Sequence, residues 1–332
     1  MPYSFKADET VGESFRRVVS EEIDNAVLQL RGNDGSKRDT AIHEARKSLK
    51  KLRGLLRLLR GELGETKYAR ENARLRDVGR KLSELRDAAA VIEVFDHLAE
   101  GYRAELDKDA IQAVREGLEQ DKRIFEDATD VEAVLKRTVR TLTSTGKRLS
   151  AFSFDHDGVE AILPGLKRTY RRGRKAMRTA EADPAPENFH AWRKRVKDYW
   201  YHTKLLENLW PDAMNSQEKS LKDLQEWLGD DHNLVVLDSK ISGQPERFGP
   251  GEKLASVRAV AERHGAKLRN DALKLGRRIY RQSPKKMSAG IADLWEIWES
   301  ELKPSQSEPI MANATKKSSK NRELAASKTS AA

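Results

Sequence analysis

An eight-residue pattern occurs twice in this sequence, as HEARKSLK at residues 43–50 and as HAWRKRVK at residues 190–197. The first, fourth, fifth and eighth positions of both copies hold His, Arg, Lys and Lys. Spacings of three and four residues place side chains on one face of an α-helix. The sequence therefore predicts two copies of a helix that carries cations along one face.

Apolar residues occupy the opposite face of both helices, as Leu49 and Leu52 do in the first copy and Trp192 and Val196 in the second. Like charges one turn apart destabilise an isolated helix by about 0.2–0.5 kcal/mol per pair, so two such faces indicate an external anion that offsets the repulsion. A solvated basic face is the alternative for either copy alone. The candidate anion-binding residues on these helices are His43, Arg46, Lys47, Lys50, Arg57, His190, Arg193, Lys194, Lys197 and Lys204.

Length and composition favour an all-α protein. The 332 residues are 38% hydrophobic and 35% charged, which is typical of amphipathic helices rather than of a buried sheet. The sequence contains no cysteine, which excludes disulfides and zinc sites of the usual cysteine type. The N-terminus lacks an apolar signal segment and no stretch approaches about 18 apolar residues, so we expect a cytoplasmic protein with no membrane partner.

Charge is segregated along the chain, whose net charge is +10. Residues 93–132 hold thirteen acids against five Lys or Arg, whereas the two patterned helices and residues 167–178 are strongly basic. Residues 303–332 hold six cations against two acids and almost no large apolar residue, so we expect a disordered Lys/Ser/Ala-rich tail. A focused basic surface of this kind attracts anionic partners.

A second signature follows each copy of the pattern at almost the same distance, in residues 82–91 and 228–237. Each half of the chain thus repeats the same two signatures in the same order. A duplicated helical unit is expected to pack as two antiparallel bundles related by a pseudo-twofold axis, with the cationic faces meeting there. The predicted units are a first bundle over 1–158, a second bundle over 159–302, and the tail from 303 to 332.

Periodicity and breaker residues predict the individual helices. The first patterned helix is expected to be capped by Asp39 or Thr40 and closed by Gly61 to Gly64. A short aromatic segment, Leu294 to Trp298, is expected to close the core. The other predicted helices cover residues 10–31, 67–100 as one or two helices, 108–125, 130–150, 160–181, the second patterned helix up to Trp210, a helix to 241, and a long helix to 281.

The predicted helix 160–181 carries a further set of cations. Lys167, Arg171, Arg174 and Arg178 recur at helical spacing, and the last three are candidate ligand residues on a second wall of the basic surface. A solvated face paired with neighbouring acids is the alternative.

Together these motifs resemble the CHAD family, the conserved-histidine α-helical domain, over roughly residues 5–290. The resemblance rests on both HxxRKxxK patterns, on YRRGR at residues 170–174, and on the second signature around Arg86-Asp87 and His232-Asn233. It implies two symmetric helical bundles and a central basic surface that binds inorganic polyphosphate without catalysis or a cofactor, with polyphosphate granules as a location. Asn233 stands where the family has Asp, and the first half has only Arg16-Arg17 in place of a basic helix, so the groove is expected to be lopsided.

The histidines divide into two groups. His97, His156, His202 and His264 are interpreted as polar packing residues. His43 and His190 lie among cations, so we expect them to resist protonation in the empty site and to accept a proton when phosphate binds. Arg86 and Asp87 are interpreted as a structural ion pair between neighbouring helices.

Two other functions remain open on the sequence. A nucleic-acid or general polyanion binder would use the same basic surface, although aromatic residues are only 6% of the chain and lie mostly at core spacing. A metal-dependent phosphohydrolase would need a site such as Asp230-Asp231-His232, but adjacent acids at a helix junction are usually caps or solvated. Polyphosphate is the expected partner, nucleic acid is a weaker one, and the sequence does not specify the oligomeric state.

Overall fold

The computed structural model describes residues 3–31, 37–85, 87–249 and 251–302, and all regular structure within these ranges is helical. The predicted all-α class is confirmed. The α-helices are α1 Val11–Arg31, α2 Arg38–Leu58, α3 Arg60–Leu63, α4 Glu65–Glu84, α5 Asp87–Gly101, α6 Lys108–Asp127, α7 Val131–Ser150, α8 Val159–Ala182, α9 Pro186–Leu205, α10 Pro211–Gly243, α11 Gly251–Ile279 and α12 Pro284–Leu302. Two 3₁₀ turns cover Glu207–Leu209 and Pro245–Arg247.

Two local predictions need correction. Neither Asp39 nor Thr40 caps α2, because the helix begins at Arg38 and Asp39 lies in its first turn. There Asp39 suits the positive end of the helix dipole, and its Oδ2 accepts a hydrogen bond from Lys122 Nζ of α6 at 2.6 Å. The short aromatic segment is part of the 19-residue helix α12, whose Trp295 and Trp298 are buried in the core.

The two patterned helices, α2 and α9, lie at the centre of the molecule and pack against each other. Helix α1 packs on α2 and α7, and α2 packs on α4; in the second half, α8 packs on α9 and α12, and α9 packs on α10. The order of neighbours is therefore the same in both halves. The pseudo-twofold axis itself stays a prediction.

The buried apolar side chains form two clusters that each draw on both halves of the chain. The larger cluster includes Phe15 of α1, Leu52 of α2 and Trp192 of α9. The smaller one joins α5 and α6 to the adjoining ends of α10 and α11, for example through Phe95 and Leu237. The predicted division at residues 158 and 159 thus does not separate two hydrophobic cores, and residues 303–332 of the predicted tail lie outside the described residues.

The acidic segment from residue 93 to 132 is paired with cations of the second half. Asp121 of α6 forms ion pairs with Lys240 at 2.7 Å and Arg247 at 2.9 Å. Lys253 of α11 lies 3.1 Å from Asp107 and 2.8 Å from Asp109. These contacts hold the acids against the ends of α10 and α11 that lie beside α6.

Close helix crossings at the centre require glycine at two positions. A Cβ on Gly54 of α2 would lie 2.9 Å from Tyr201 Cβ of α9, and a Cβ on Gly165 of α8 would overlap the backbone carbonyl oxygen of Leu58. Neither backbone can move without displacing a helix that carries cations. These crossings therefore fix how closely α2, α8 and α9 approach.

We predict that Gly165→Ala lowers the free energy of unfolding by about 1–3 kcal/mol, because overpacking at a backbone contact forces a helix to shift. Gly290→Ala in α12 is the matched control, since a Cβ there meets nothing within 4 Å. It should raise stability by up to about 1 kcal/mol through helix propensity alone. Urea unfolding followed by circular dichroism measures both; similar midpoints for the two variants would contradict the close crossing.

Candidate functional site

Three cavities meet at the side chain of Lys194, which contributes to the lining of each. We refer to the three cavities together as the groove. The first, about 500 Å³, lies between α2, α4 and α9; the second, about 430 Å³, is formed by the same helices; the third, about 370 Å³, lies between α8 and α9. The cations that line the groove are Arg46, Lys50, Arg53, Arg57, Arg76, Arg80, Arg172, Lys175, Lys194, Arg195 and Lys197.

Asp198 is the only carboxylate among the described residues that line the groove. The side chain is buried and forms ion pairs with Arg57 (Nη1–Oδ1 3.0 Å) and Arg195 (Nη1–Oδ2 3.3 Å). Its charge is thus shared between a cation of α2 and a cation of α9. The groove remains strongly positive, because one carboxylate faces many cations.

Burial, and after it the charges of neighbouring cations, lower the pKa values of several groove residues. Burial, followed by the charges of Lys50 and Arg193, holds the pKa of Lys197 well below its ordinary value. Burial and then Arg195 lower the pKa of Lys194, and burial with the neighbouring charge of Arg57 lowers the pKa of Arg53 to about 10. Each shift has the sign expected where a positive charge is destabilised, so an anion in the groove would relieve it.

His190 lies at the edge of the first cavity and stacks on His232 of α10, with the ring centroids 3.9 Å apart. Burial, and then the neighbouring His232 and Lys194, lower the pKa of His190 to about 4. His232 is shifted to about the same pKa by burial and the charge of Arg193. Both rings are therefore neutral at neutral pH while the groove is empty, as expected for His190.

Six of the ten predicted residues of α2 and α9 line the groove: Arg46, Lys50, Arg57, His190, Lys194 and Lys197. His43, Lys47, Arg193 and Lys204 are not among the residues that line these cavities.

The four residues outside the lining have identifiable surroundings. Lys47 forms an ion pair with Glu44 at 2.9 Å, and Lys204 forms one with Glu218 at 2.8 Å while lying over the Trp200 ring. Arg193 lies against Gly229 of α10, and His43 is exposed. The two copies of the pattern thus differ in how they contribute to the groove.

Helix α8 presents a different row of cations to the groove from the predicted one. Arg172 and Lys175 line the third cavity, whereas Arg171, Arg174 and Arg178 do not. Arg174 Nε instead donates a hydrogen bond to the backbone carbonyl of Tyr280 at 3.1 Å. Cations flank the buried face of α8 on both sides, so helical spacing alone cannot select the flank that faces the groove.

Sequence reasoning also missed cations on α2, α4 and α9, where Arg195 lines the second and third cavities. Arg53 follows Arg46 and Lys50 at helical spacing, so the pattern could have identified it. Arg76 and Arg80 lie one turn apart on α4, and only the packing of α4 against α2 brings them to the groove. The predicted Arg86–Asp87 pair lies outside the described residues, because Arg86 and the side chain of Asp87 are not among them.

The remaining histidines and acids take structural partners. His202 is fully buried, and its Nε2 lies 3.0 Å from the backbone carbonyl oxygen of Gly54. This environment agrees with the interpretation of His202 as a polar packing residue. Asp231 forms an ion pair with Arg269 at 3.0 Å, and the His232 ring stacks on His190. Within the described part of the chain, no group of three or more His, Cys, Asp or Glu side chains could hold a metal ion.

No helix in the described ranges is both long enough and apolar enough to span a bilayer.

Comparison with known proteins identifies one family. A family model described as the CHAD domain matches residues 21–242. The crystal structure of the CHAD domain from the plant Ricinus communis has a TM-score of 0.60 to this chain at 14% identity, and the match covers 84% of this chain and 95% of that one. No curated protein matches the sequence significantly.

We predict that Asp198→Asn lowers the free energy of unfolding by about 3–5 kcal/mol, because it leaves two partly buried arginines without their carboxylate. Asp238→Asn is the matched control, since Asp238 pairs with Arg258 at an exposed site. This substitution should lower the free energy of unfolding by less than about 1 kcal/mol. Denaturant unfolding of both variants makes the comparison. Equal losses would show that Asp198 does not hold α2 against α9.

Proposed function

Because this chain belongs to the CHAD domain family, we propose that the groove binds inorganic polyphosphate and does so without chemical turnover. One observation carries the proposal: many cations from four helices converge on a groove whose only described carboxylate, Asp198, is already paired. The family resemblance names polyphosphate as the anion. In a cell the proposed location is the cytoplasm, including polyphosphate granules.

The chemistry of the lining suits a chain of phosphate tetrahedra. Arginine can bind two phosphate oxygens at once through its planar guanidinium, and lysine supplies a compact charge without fixed geometry. Arg53 and Arg76 lie on one side of the second cavity, and Arg195 and Lys197 lie on α9. A flexible polyanion could therefore receive phosphate contacts from more than one wall.

The same lining is less suited to nucleic acid. Proteins that bind single strands without sequence preference commonly stack bases on aromatic side chains, each worth about 1–3 kcal/mol. Among the described lining residues the aromatic rings are His190 and Tyr201, and Tyr201 is buried in the core. The groove thus offers charge without a stacking surface.

The direct experiment is calorimetric titration of the full chain with polyphosphate, duplex DNA and single-stranded RNA at 0.2 M salt, with phosphate release measured in the same samples. We expect tight polyphosphate binding, weaker binding of both nucleic acids and no released phosphate. Equal affinity for all three polymers would indicate a general polyanion binder. Metal-dependent release of phosphate would indicate a hydrolase.

We predict that Lys194→Ala weakens polyphosphate binding at least about tenfold, because a lost hydrogen bond to a charged group costs about 1.5–3 kcal/mol. Lys47→Ala is the matched control, since Lys47 holds the same position in the first copy of the pattern but pairs with Glu44 outside the groove. It should change affinity less than about twofold. Equal effects of the two substitutions, measured by calorimetry, would contradict the assignment of the groove.

Polyphosphate binding should also strengthen as the pH falls from 8 to 5.5. An anion beside His190 and Lys197 raises their depressed pKa values, so the complex takes up protons and affinity decreases as pH rises between the free and bound pKa values. For His190 that window extends upward from about 4. Titrations in buffers of different ionisation enthalpy count the protons taken up.

His190→Gln should reduce this proton uptake, because the imidazole can no longer titrate. No proton uptake on binding, together with an affinity independent of pH in the wild-type protein, would contradict the coupling.

A further inference from the structure

The two copies of the repeated pattern differ at the position after histidine, which is Glu44 in the first copy and Ala191 in the second. Glu44 forms an ion pair with Lys47, three residues later. Ala191 cannot pair with Lys194, and no carboxylate within the described ranges forms an ion pair with that lysine. Lys194 is exposed and reaches all three cavities of the groove.

We propose that Lys194 is an acylation site whose donor is a small acyl phosphate bound in the cavity between α8 and α9. The inference rests on the proposed function only in that the groove recognises phosphate groups. It assigns the groove a second class of ligand and a covalent reaction.

The third cavity matches both parts of such a donor. Arg172, Lys175 and Arg195 line it together with Lys194 and offer charge to a phosphate group. Ala176 and Ala191 line the same cavity and offer methyl groups to a short acyl chain. A volume of about 370 Å³ is at the lower end of the range for small-molecule sites.

The surroundings of Lys194 also favour the neutral, nucleophilic amine. Partial burial of its side chain lowers the pKa of Lys194, and the adjacent charges of Arg195 and Arg193 lower it further. Arg195, which lines the third cavity with Arg172, is placed to balance the charge of a phosphate leaving group. Lys197, one turn along α9, is less exposed and therefore less accessible to a donor in solution.

The reaction is a simple acyl transfer. The lone pair of the Lys194 Nζ attacks the acyl carbon, a C–N bond forms, and the bond between that carbon and the bridging oxygen breaks. Inorganic phosphate leaves with the electron pair of that bond, and the amine gives up one proton to solvent or to the departing phosphate. The products are an amide at Nζ and free phosphate, with no change in oxidation state.

Acylation would remove the one charge that all three cavities share. The expected consequence is weaker binding of polyphosphate, by about the same factor as in Lys194→Ala. Bound polyphosphate should in turn protect Lys194 from the donor, because both occupy the same cations. The groove would thereby respond to the balance between polyphosphate and acyl phosphates.

The test incubates the full chain with acetyl phosphate and measures acetylation of each lysine by peptide mass spectrometry. Lys194 should react at least tenfold faster than Lys47, and inorganic phosphate or polyphosphate should slow it. With the uncharged donor p-nitrophenyl acetate, the ratio of the Lys194 rate to the Lys47 rate should be at least threefold smaller, because this donor lacks the phosphate. Equal rates at the two lysines, or no protection by phosphate, would overturn the proposal.

Ala191→Glu tests the cause of the selectivity, because it recreates beside Lys194 the pair that Glu44 makes with Lys47. Acetylation of Lys194 by acetyl phosphate should fall at least fivefold in this variant, with circular dichroism confirming an intact fold. An unchanged rate would overturn the proposal.

Treated and untreated samples then separate the proposal from the function on which it rests. Acetyl phosphate should raise the polyphosphate dissociation constant of the wild-type protein at least fivefold, whereas the treated-to-untreated ratio for Lys194→Arg should stay near one. Selective acetylation in a protein that never binds polyphosphate would reject only the proposed function. Polyphosphate binding without selective acetylation would reject only the acylation site.

Discussion

Two cationic helices, α2 and α9, pack against each other at the centre of this protein, and their mutual repulsion is the constraint that the surrounding structure has to offset. Two unit charges 4 Å apart repel by about 4 kcal/mol at the effective dielectric constant near a protein surface. Full burial of one large apolar side chain returns about 1.5–3 kcal/mol. Several such side chains, including Leu52, Trp192 and Val196, are completely buried on the opposite faces of these helices. Apolar packing therefore outweighs the repulsion without removing it.

The remaining charges are arranged so that the groove keeps its potential. Asp198 joins Arg57 of α2 to Arg195 of α9, which ties the two helices together with a single carboxylate. The thirteen acids of residues 93–132 could neutralise the groove if they lay beside it. Four of them, Glu105, Asp107, Asp109 and Asp121, instead pair with cations on α10 and α11. Segregation of charge along the sequence thus becomes segregation in space, which leaves the groove lined by many cations and, among the described residues, one carboxylate.

Local pattern was sufficient to predict the helices and six residues of α2 and α9 that line the groove, because cationic and apolar residues there recur at helical spacing on opposite faces. It missed Arg53 and Arg195 and included four residues that lie outside the lining. It was insufficient for α8, where cations flank both sides of the buried face and packing decides that Arg172, rather than Arg171, lines the groove. Arg76 and Arg80 lie outside any motif, and the neighbour of α4 could not be read from the chain. Asp39 was mistaken for a cap because acids favour the first turn of a helix as well as the capping position.

The two copies of the pattern differ at four of their eight positions, and the position after histidine contributes to the asymmetry of the groove. Both copies of the pattern supply an Arg or Lys at the same helical positions, yet Lys47 is held by Glu44 outside the groove while Lys194 lies where three cavities meet. A carboxylate three residues before a lysine on a helix both neutralises it and orients it. In the second copy Ala191 holds that position, so it cannot pair with Lys194, and Ala191 itself lines the third cavity. The residue after histidine thus distinguishes a lysine that pairs within its own helix, Lys47, from one that lines the groove, Lys194.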